Sequence, residues 1–206
     1  MIEGLDEKNV DLDLYADKLL KNKNALSEYL KGLSSKNQIY MENCFNVLKV
    51  ISEKKPDFLY PHWDFFVNYM KSENHYHKTA AVILISNLTS VDAENKFENI
   101  FDEFYVNLKS EKTMMPMYLL KQSGIIINYK PNLEEKITDI LLNIDSIHPG
   151  KQIELVKSAV IESFSNYFPK AKNKGKIIDF VKNQLESSSP KTKKLAKDFL
   201  NKYMET

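Results

Sequence analysis

Residues 80–85 read Ala-Ala-Val-Ile-Leu-Ile, and this stretch decides the fold. A helix that is apolar on every face must be covered on all sides, yet these few residues are too short to cross a bilayer. The preceding residues, Tyr60 to Lys71, predict an amphipathic partner helix because apolar side chains recur there at helical spacing: Leu59, Trp63, Phe66, Val67 and Met70. We therefore expect a central helical hairpin with further hairpins stacked on both of its sides.

The composition favours an all-α domain. The 206 residues are 43% hydrophobic and 28% charged, which is ordinary for a globular protein. Only 5 Gly and 7 Pro are present, and no Asn-Gly or Asp-Gly dipeptide occurs, which argues against an antiparallel sheet.

The cysteine content and the start of the chain indicate the compartment. Cys44 is the single cysteine and has no partner for an internal disulfide, which suits a reducing environment. The acidic residues 1–7 lack the basic and apolar regions of a secretory signal. We expect a cytoplasmic protein without a membrane segment.

The charge is carried in an unusual way. All 29 basic residues are Lys, so the chain has no guanidinium group for bidentate recognition of phosphate or guanine. Residues 1–150 hold 17 Lys against 22 acidic residues, whereas residues 151–206 hold 12 Lys against 6. This distribution makes the end of the chain basic and argues against nucleic acid as the partner.

Helical periodicity divides the chain into one short helix and five helical hairpins. Residues 1–10 are expected to be a frayed lead-in, and Asp11 to cap a helix over 11–22. Asp92, Asn132 with Glu135, and Ser189 before Pro190 are further predicted helix caps. The predicted hairpins are about 25–54, 57–89, 92–130, 132–168 and 172–204.

The turns of these hairpins recur at a fixed period. One turn position for each hairpin gives Ser34, Ser72, Ser110, His148 and Ser188, with intervals of 38, 38, 38 and 40 residues. A period near forty is typical of a helical-hairpin solenoid.

The second helices of three hairpins share a sequence pattern, a basic residue followed by small residues. It occurs as Lys78-Thr79-Ala80-Ala81 with Leu84 and Leu88, Lys157-Ser158-Ala159, and Lys194-Leu195-Ala196 with Leu200. In this pattern residues 25–204 resemble the HEAT-repeat family. The resemblance implies a right-handed α-α superhelix of five hairpins with residues 11–22 as an N-terminal capping helix. The armadillo architecture and an irregular helical bundle are the alternatives.

The residues that might support catalysis or metal binding do not form a pattern typical of either. His75 and His77 lie two apart and point to different sides of a helix start, while His62 belongs to the far end of the partner helix. Cys44 falls within an apolar stripe and is expected to be buried. The pairs Asp102-Glu103 and Glu134-Glu135 are expected on solvated helix faces. We expect no enzyme activity, metal or cofactor.

Two groups of residues are candidate partner contacts. The aromatic candidates Trp63, Tyr76 and Tyr118 lie near the starts of helices, with core packing as the alternative. The basic candidates for an acidic partner are Lys191, Lys193, Lys194, Lys197 and Lys202, with a solubilising cap as the alternative. The leading hypothesis is a protein-protein interaction scaffold. The alternatives are a nucleic-acid-binding module like the HEAT-like DNA-repair proteins, and a subunit of a larger assembly.

Overall fold

The computed structural model describes residues 1–204, in which every regular element is a helix, so the all-α prediction is confirmed. Contacts between residues divide the chain into two compact units, Met1–Glu94 and Asn95–Thr206, and each is described by itself. The right-handed superhelix and the single solenoid domain stay predictions.

The first unit contains the apolar stretch that was expected at the centre of the fold. Residues 80–88 are all buried. The helix expected from Tyr60 to Lys71 is shorter, because Pro61 lacks an amide hydrogen and a 3-10 turn, Tyr60–His62, precedes it. The helices of this unit are α1 (Leu12–Lys21), α2 (Leu26–Gly32), α3 (Gln38–Lys54), α4 (Pro56–Leu59), α5 (Trp63–Met70) and α6 (His75–Leu88).

The N-terminal segment, residues 1–10, packs against α1 and α3, so the expectation of a frayed lead-in is wrong. Leu5 is completely buried. The Ile2 amide donates to the Tyr40 hydroxyl at 3.0 Å, and Asn43 Nδ2 donates to the carbonyls of Leu5 and Glu7, each at 2.9 Å. These partners lie 36 to 38 residues away in the sequence, which no local pattern could indicate.

The second unit begins with the first helix of the hairpin predicted over 92–130. Pro116 lies in the first turn of the following helix, where a missing amide hydrogen is tolerated. The helices of this unit are α7 (Lys96–Tyr105), α8 (Met114–Tyr129), α9 (Glu134–Leu142), α10 (Ile144–Ile147), α11 (Ile153–Tyr167), α12 (Lys174–Asn183) and α13 (Pro190–Met204).

Two of the predicted helix caps are confirmed and two are wrong. The Asp11 carboxylate accepts from the Leu14 amide at 3.0 Å, and the Ser189 hydroxyl accepts from the Thr192 amide at 3.4 Å. Asp92 instead accepts from the Tyr60 hydroxyl at 2.6 Å, and Asn132 donates to Glu98 at 3.3 Å. The N-cap residues of the helices Lys96–Tyr105 and Glu134–Leu142 are Asn95 and Leu133 instead.

Two hydrogen bonds of the second unit repeat the sequence period. The Glu154 carbonyl accepts from the Thr192 hydroxyl at 2.5 Å, and the Ser165 carbonyl from the Tyr203 hydroxyl at 3.1 Å, both across 38 residues. Helices α11 and α13 are therefore parallel and in register. The turns also repeat, because each of four serine hydroxyls accepts from the amide two residues later: Ser35, Ser72, Ser110 and Ser187.

Helices α8 and α11 approach each other closely at Gly124. A Cβ atom at this position would lie 2.7 Å from the Ser163 carbonyl oxygen and 2.9 Å from Asn166 Cβ. The backbone at Ser163 cannot move aside as a flexible side chain can. Only glycine at position 124 therefore allows the two helices to lie this close.

The burial of α6 predicts a large difference between two leucine substitutions. Leu84→Asp places a charge at a fully buried site, and we expect a loss of several kcal/mol, enough to unfold a domain of typical stability. Leu20→Asp, at a partly exposed position of α1, should cost much less. Thermal denaturation followed by circular dichroism measures both, and equal losses would contradict the complete burial of residues 80–88 in α6.

The close approach at Gly124 predicts opposite effects for two alanine substitutions. Gly124→Ala should destabilise the protein by about 1–3 kcal/mol, because overpacking against backbone exceeds the roughly 1 kcal/mol that alanine gains in a helix. Gly175→Ala is the matched control, because no atom lies within 4 Å of its added Cβ. It should stabilise by up to about 1 kcal/mol in urea denaturation. Stabilisation by both would show that α8 and α11 are further apart than described.

Candidate protein-binding face

Three parallel helices of the second unit form one exposed surface. Helix α11 packs against α8 on one side and α13 on the other. We call the surface they share the three-helix face. It consists of the exposed or partly exposed side chains Met114, Tyr118, Lys121, Ile125 and Tyr129 of α8, Leu155 and Glu162 of α11, and Lys191, Lys194, Asp198 and Lys202 of α13.

A carboxylate at the middle of the face joins all three helices. Glu162 Oε2 lies 2.8 Å from Lys121 Nζ, and Glu162 Oε1 lies 2.9 Å from Lys191 Nζ. Burial by itself would raise the pKa of Glu162, but the hydrogen bonds from the two lysines outweigh it and hold the pKa below its usual value. The carboxylate therefore stays ionised at neutral pH and fixes both ammonium groups on the face.

The α8 side of the face is apolar. Met114 is 59%, Tyr129 53% and Tyr118 36% exposed, and Ile125 is partly exposed. Their spacing of four, seven and four residues places them along one side of the helix. Single exposed apolar residues are ordinary, but a stripe of them beside fixed charges is typical of an interaction surface.

The structure divides the predicted set of lysines between two sides of α13. Lys191, Lys194 and Lys202 fall on the side of the three-helix face at helical spacing. Lys193 and Lys197 fall on another side of the helix. A role in binding an acidic partner stays a prediction, and only the first three lysines lie near the apolar stripe.

Of the three predicted aromatic contacts, Tyr118 alone lies on the face. Trp63 is only 2% exposed and packs against Tyr60 with ring centroids 5.8 Å apart, which agrees with the core-packing alternative. Its role as a partner contact stays a prediction. The Tyr76 ring packs edge-on against Phe45, and its hydroxyl is buried. Trp63 is therefore a core residue, whereas Tyr76 keeps a partly exposed side chain at the exposed start of α6.

Cys44 and His77 pack against neighbouring side chains, whereas His75 is exposed. Cys44 is completely buried, and burial raises the pKa of its thiol to about 11. His77 Nδ1 lies 3.0 Å from the Ser72 hydroxyl, and its ring stacks on Tyr69 at 4.4 Å. Within residues 1–204, no three His, Cys, Asp or Glu side chains are placed to hold a metal ion.

One of the carboxylates expected in solvent is buried. Glu134 is 4% exposed and accepts from the Thr138 hydroxyl at 3.1 Å, which in turn lies 2.7 Å from the Tyr167 hydroxyl. The expectation of a solvated pair is therefore wrong for Glu134, although its neighbour Glu135 is exposed. The first turn of α9 turns one glutamate toward α11 and the other toward solvent.

The lowered pKa of Glu162 predicts a pH-dependent contribution to stability. A carboxyl whose pKa is lower in the folded state stabilises above its unfolded pKa of about 4.3, and the contribution is lost as the pH falls through the folded pKa. Glu162→Gln should therefore lower the free energy of unfolding by about 1 kcal/mol at pH 7 and by progressively less below about pH 4. Urea denaturation across this pH range measures the difference.

Glu135→Gln is the control for this measurement. Glu135 lies 3.3 Å from Lys172 in an exposed ion pair, and such pairs contribute little. Its removal should change stability only slightly at every pH. A pH-independent effect of Glu162→Gln would mean that the three-helix bridge does not form.

Comparisons with protein-family models, characterised proteins and solved structures find no match for this chain. None of the helices described in residues 1–204 is long and apolar enough to span a membrane. What the protein does must therefore be inferred from its own geometry, above all from that of the three-helix face.

Proposed function

We propose that this protein is a non-enzymatic scaffold of HEAT-repeat type that binds a segment of another protein on the three-helix face. In this proposal the hairpins form a right-handed superhelix capped by α1. The observation that carries it is the exposed apolar stripe of α8 beside the charges that Glu162 holds in place.

The shape of the stripe favours a polypeptide as the ligand. Its four side chains extend from Met114 to Tyr129, about 22 Å along the helix axis at 1.5 Å per residue. A helical or extended segment can contact every position of such a stripe, whereas a small molecule would cover one or two.

The repeat-like hydrogen bonds support the HEAT-type part of the proposal. Two side-chain hydroxyls of α13 donate to carbonyls of α11, each across 38 residues. Lys157, one of the basic residues in the family-like pattern, is nearly buried and lies 2.8 Å from Asp145 in the preceding helix of its hairpin. The buried thiol of Cys44 suits a reducing compartment, and we place the protein in the cytoplasm.

Site-specific photocrosslinking tests the proposal. Tyr118 is replaced by a photoreactive phenylalanine derivative in the full chain, which is expressed in its own cell and irradiated there. We expect a crosslinked protein product, because Tyr118 lies beside the fixed charges of the face. The same reagent at Glu186, which is exposed on the turn after α12, is the control and should give no such product.

The products also distinguish the proposal from its alternatives. A product removed by nuclease would indicate nucleic acid as the ligand. Equal products at both positions, or none at Tyr118, would contradict a protein-binding role for this face.

A further inference from the structure

Given the proposed function, we infer that the partner segment is an acidic amphipathic helix, with apolar residues on one side and Asp or Glu on the other. The face has two chemically distinct flanks, separated by α11. The α8 flank presents the apolar stripe together with Lys121, and the α13 flank presents Lys191, Lys194 and Lys202.

The charge of the face is positive and available for binding. It carries four lysines, Lys121, Lys191, Lys194 and Lys202, against Glu162 and Asp198. Glu162 accepts one contact from each of Lys121 and Lys191. An ammonium group has three donors, and both lysine side chains are more than a third exposed, so further donors face the solvent. Partner carboxylates can share these lysines without displacing Glu162.

The spacing of the flanks fits a helix. Packed helices lie about 8–10 Å apart, so the axes of α8 and α13 are separated by about 16–20 Å. A helix about 10–12 Å in diameter that lies along α11 reaches side chains on both flanks. Such a helix must be apolar toward α8 and acidic toward α13, which defines the sequence pattern of the partner.

Lysine chemistry further favours carboxylates within an amphipathic chain. Ammonium groups are point charges and accept Asp or Glu from many directions, whereas bidentate phosphate recognition relies on the arginine that this chain lacks. A nucleic acid would satisfy the lysines but leave the α8 stripe exposed. The acidic amphipathic helix covers both flanks.

Selection from a random peptide library tests the inference without a known partner. The full chain is immobilised, 18-residue peptides are selected by display, and the enriched sequences are compared with the input. We expect an excess of Asp and Glu together with Leu, Ile, Phe or Tyr at i, i+3, i+4 and i+7. Affinities of the best synthetic peptides are then measured by fluorescence anisotropy.

Matched variants connect binding to the two flanks. The triple substitution Lys191→Gln, Lys194→Gln and Lys202→Gln should weaken binding about tenfold and reduce its salt dependence. Lys193→Gln with Lys197→Gln removes charge from the other side of α13 and should change the affinity less than twofold. Tyr118→Ser with Met114→Ser should weaken binding at least tenfold, while thermal denaturation shows that each variant is folded.

The outcomes separate this inference from the proposed function. Peptides that need Tyr118 and Met114 but lack an acidic excess, or that ignore the lysine triple variant, would overturn the inference and leave the proposed function intact. Enrichment no greater than on empty beads, or peptides indifferent to both flanks, would overturn both. Displacement of the peptides by short RNA or DNA at physiological salt would overturn the inference in favour of a nucleic-acid ligand.

Discussion

The structure depends on polar side chains that satisfy backbone carbonyls of the preceding hairpin. The Tyr69 hydroxyl donates to the Leu33 carbonyl at 2.5 Å, and His148 Nδ1 lies 3.2 Å from the Leu108 carbonyl. Apolar contacts between helices are non-directional, so packing alone would permit several registers. A buried carbonyl left without a donor costs about 1–3 kcal/mol, so these bonds select one register. In the second unit this register brings Lys121, Glu162 and Lys191 together on the three-helix face.

Hydrogen bonds between residues far apart in the sequence also limit which parts of the fold could be predicted. Helices follow from local periodicity, and the complete burial of residues 80–88 in α6 follows from a stretch with no polar face. Asp92 and Asn132 have the residue types of helix caps, but tertiary hydrogen bonds use their side chains instead. The packing of residues 1–10 depends on Asn43 and Tyr40, whose role is invisible until the helices are assembled.

The candidate site was predictable only in part. Tyr118 and Lys191 could each be named from the sequence, but their common face could not, because it requires the packing of α8, α11 and α13. Glu162 connects the three helices through Lys121 and Lys191, but no local sequence pattern indicates this role. The sequence of α8 did indicate an exposed apolar surface, because this helix has more apolar residues than one buried side can hold. Met114 and Tyr129 are that excess, and the structure places both in solvent.

Helices α6 and α8 show why this excess points to binding. Both contain long apolar stretches, yet residues 80–88 of α6 are covered completely, whereas α8 leaves a stripe in solvent. Burial of apolar surface contributes about 25 cal/mol of favourable free energy per Å², and a bound partner would bury the exposed stripe. The lysines beside the stripe also bias the choice of partner. Two copies joined through the same face would bring like charges together, whereas an acidic segment would neutralise them.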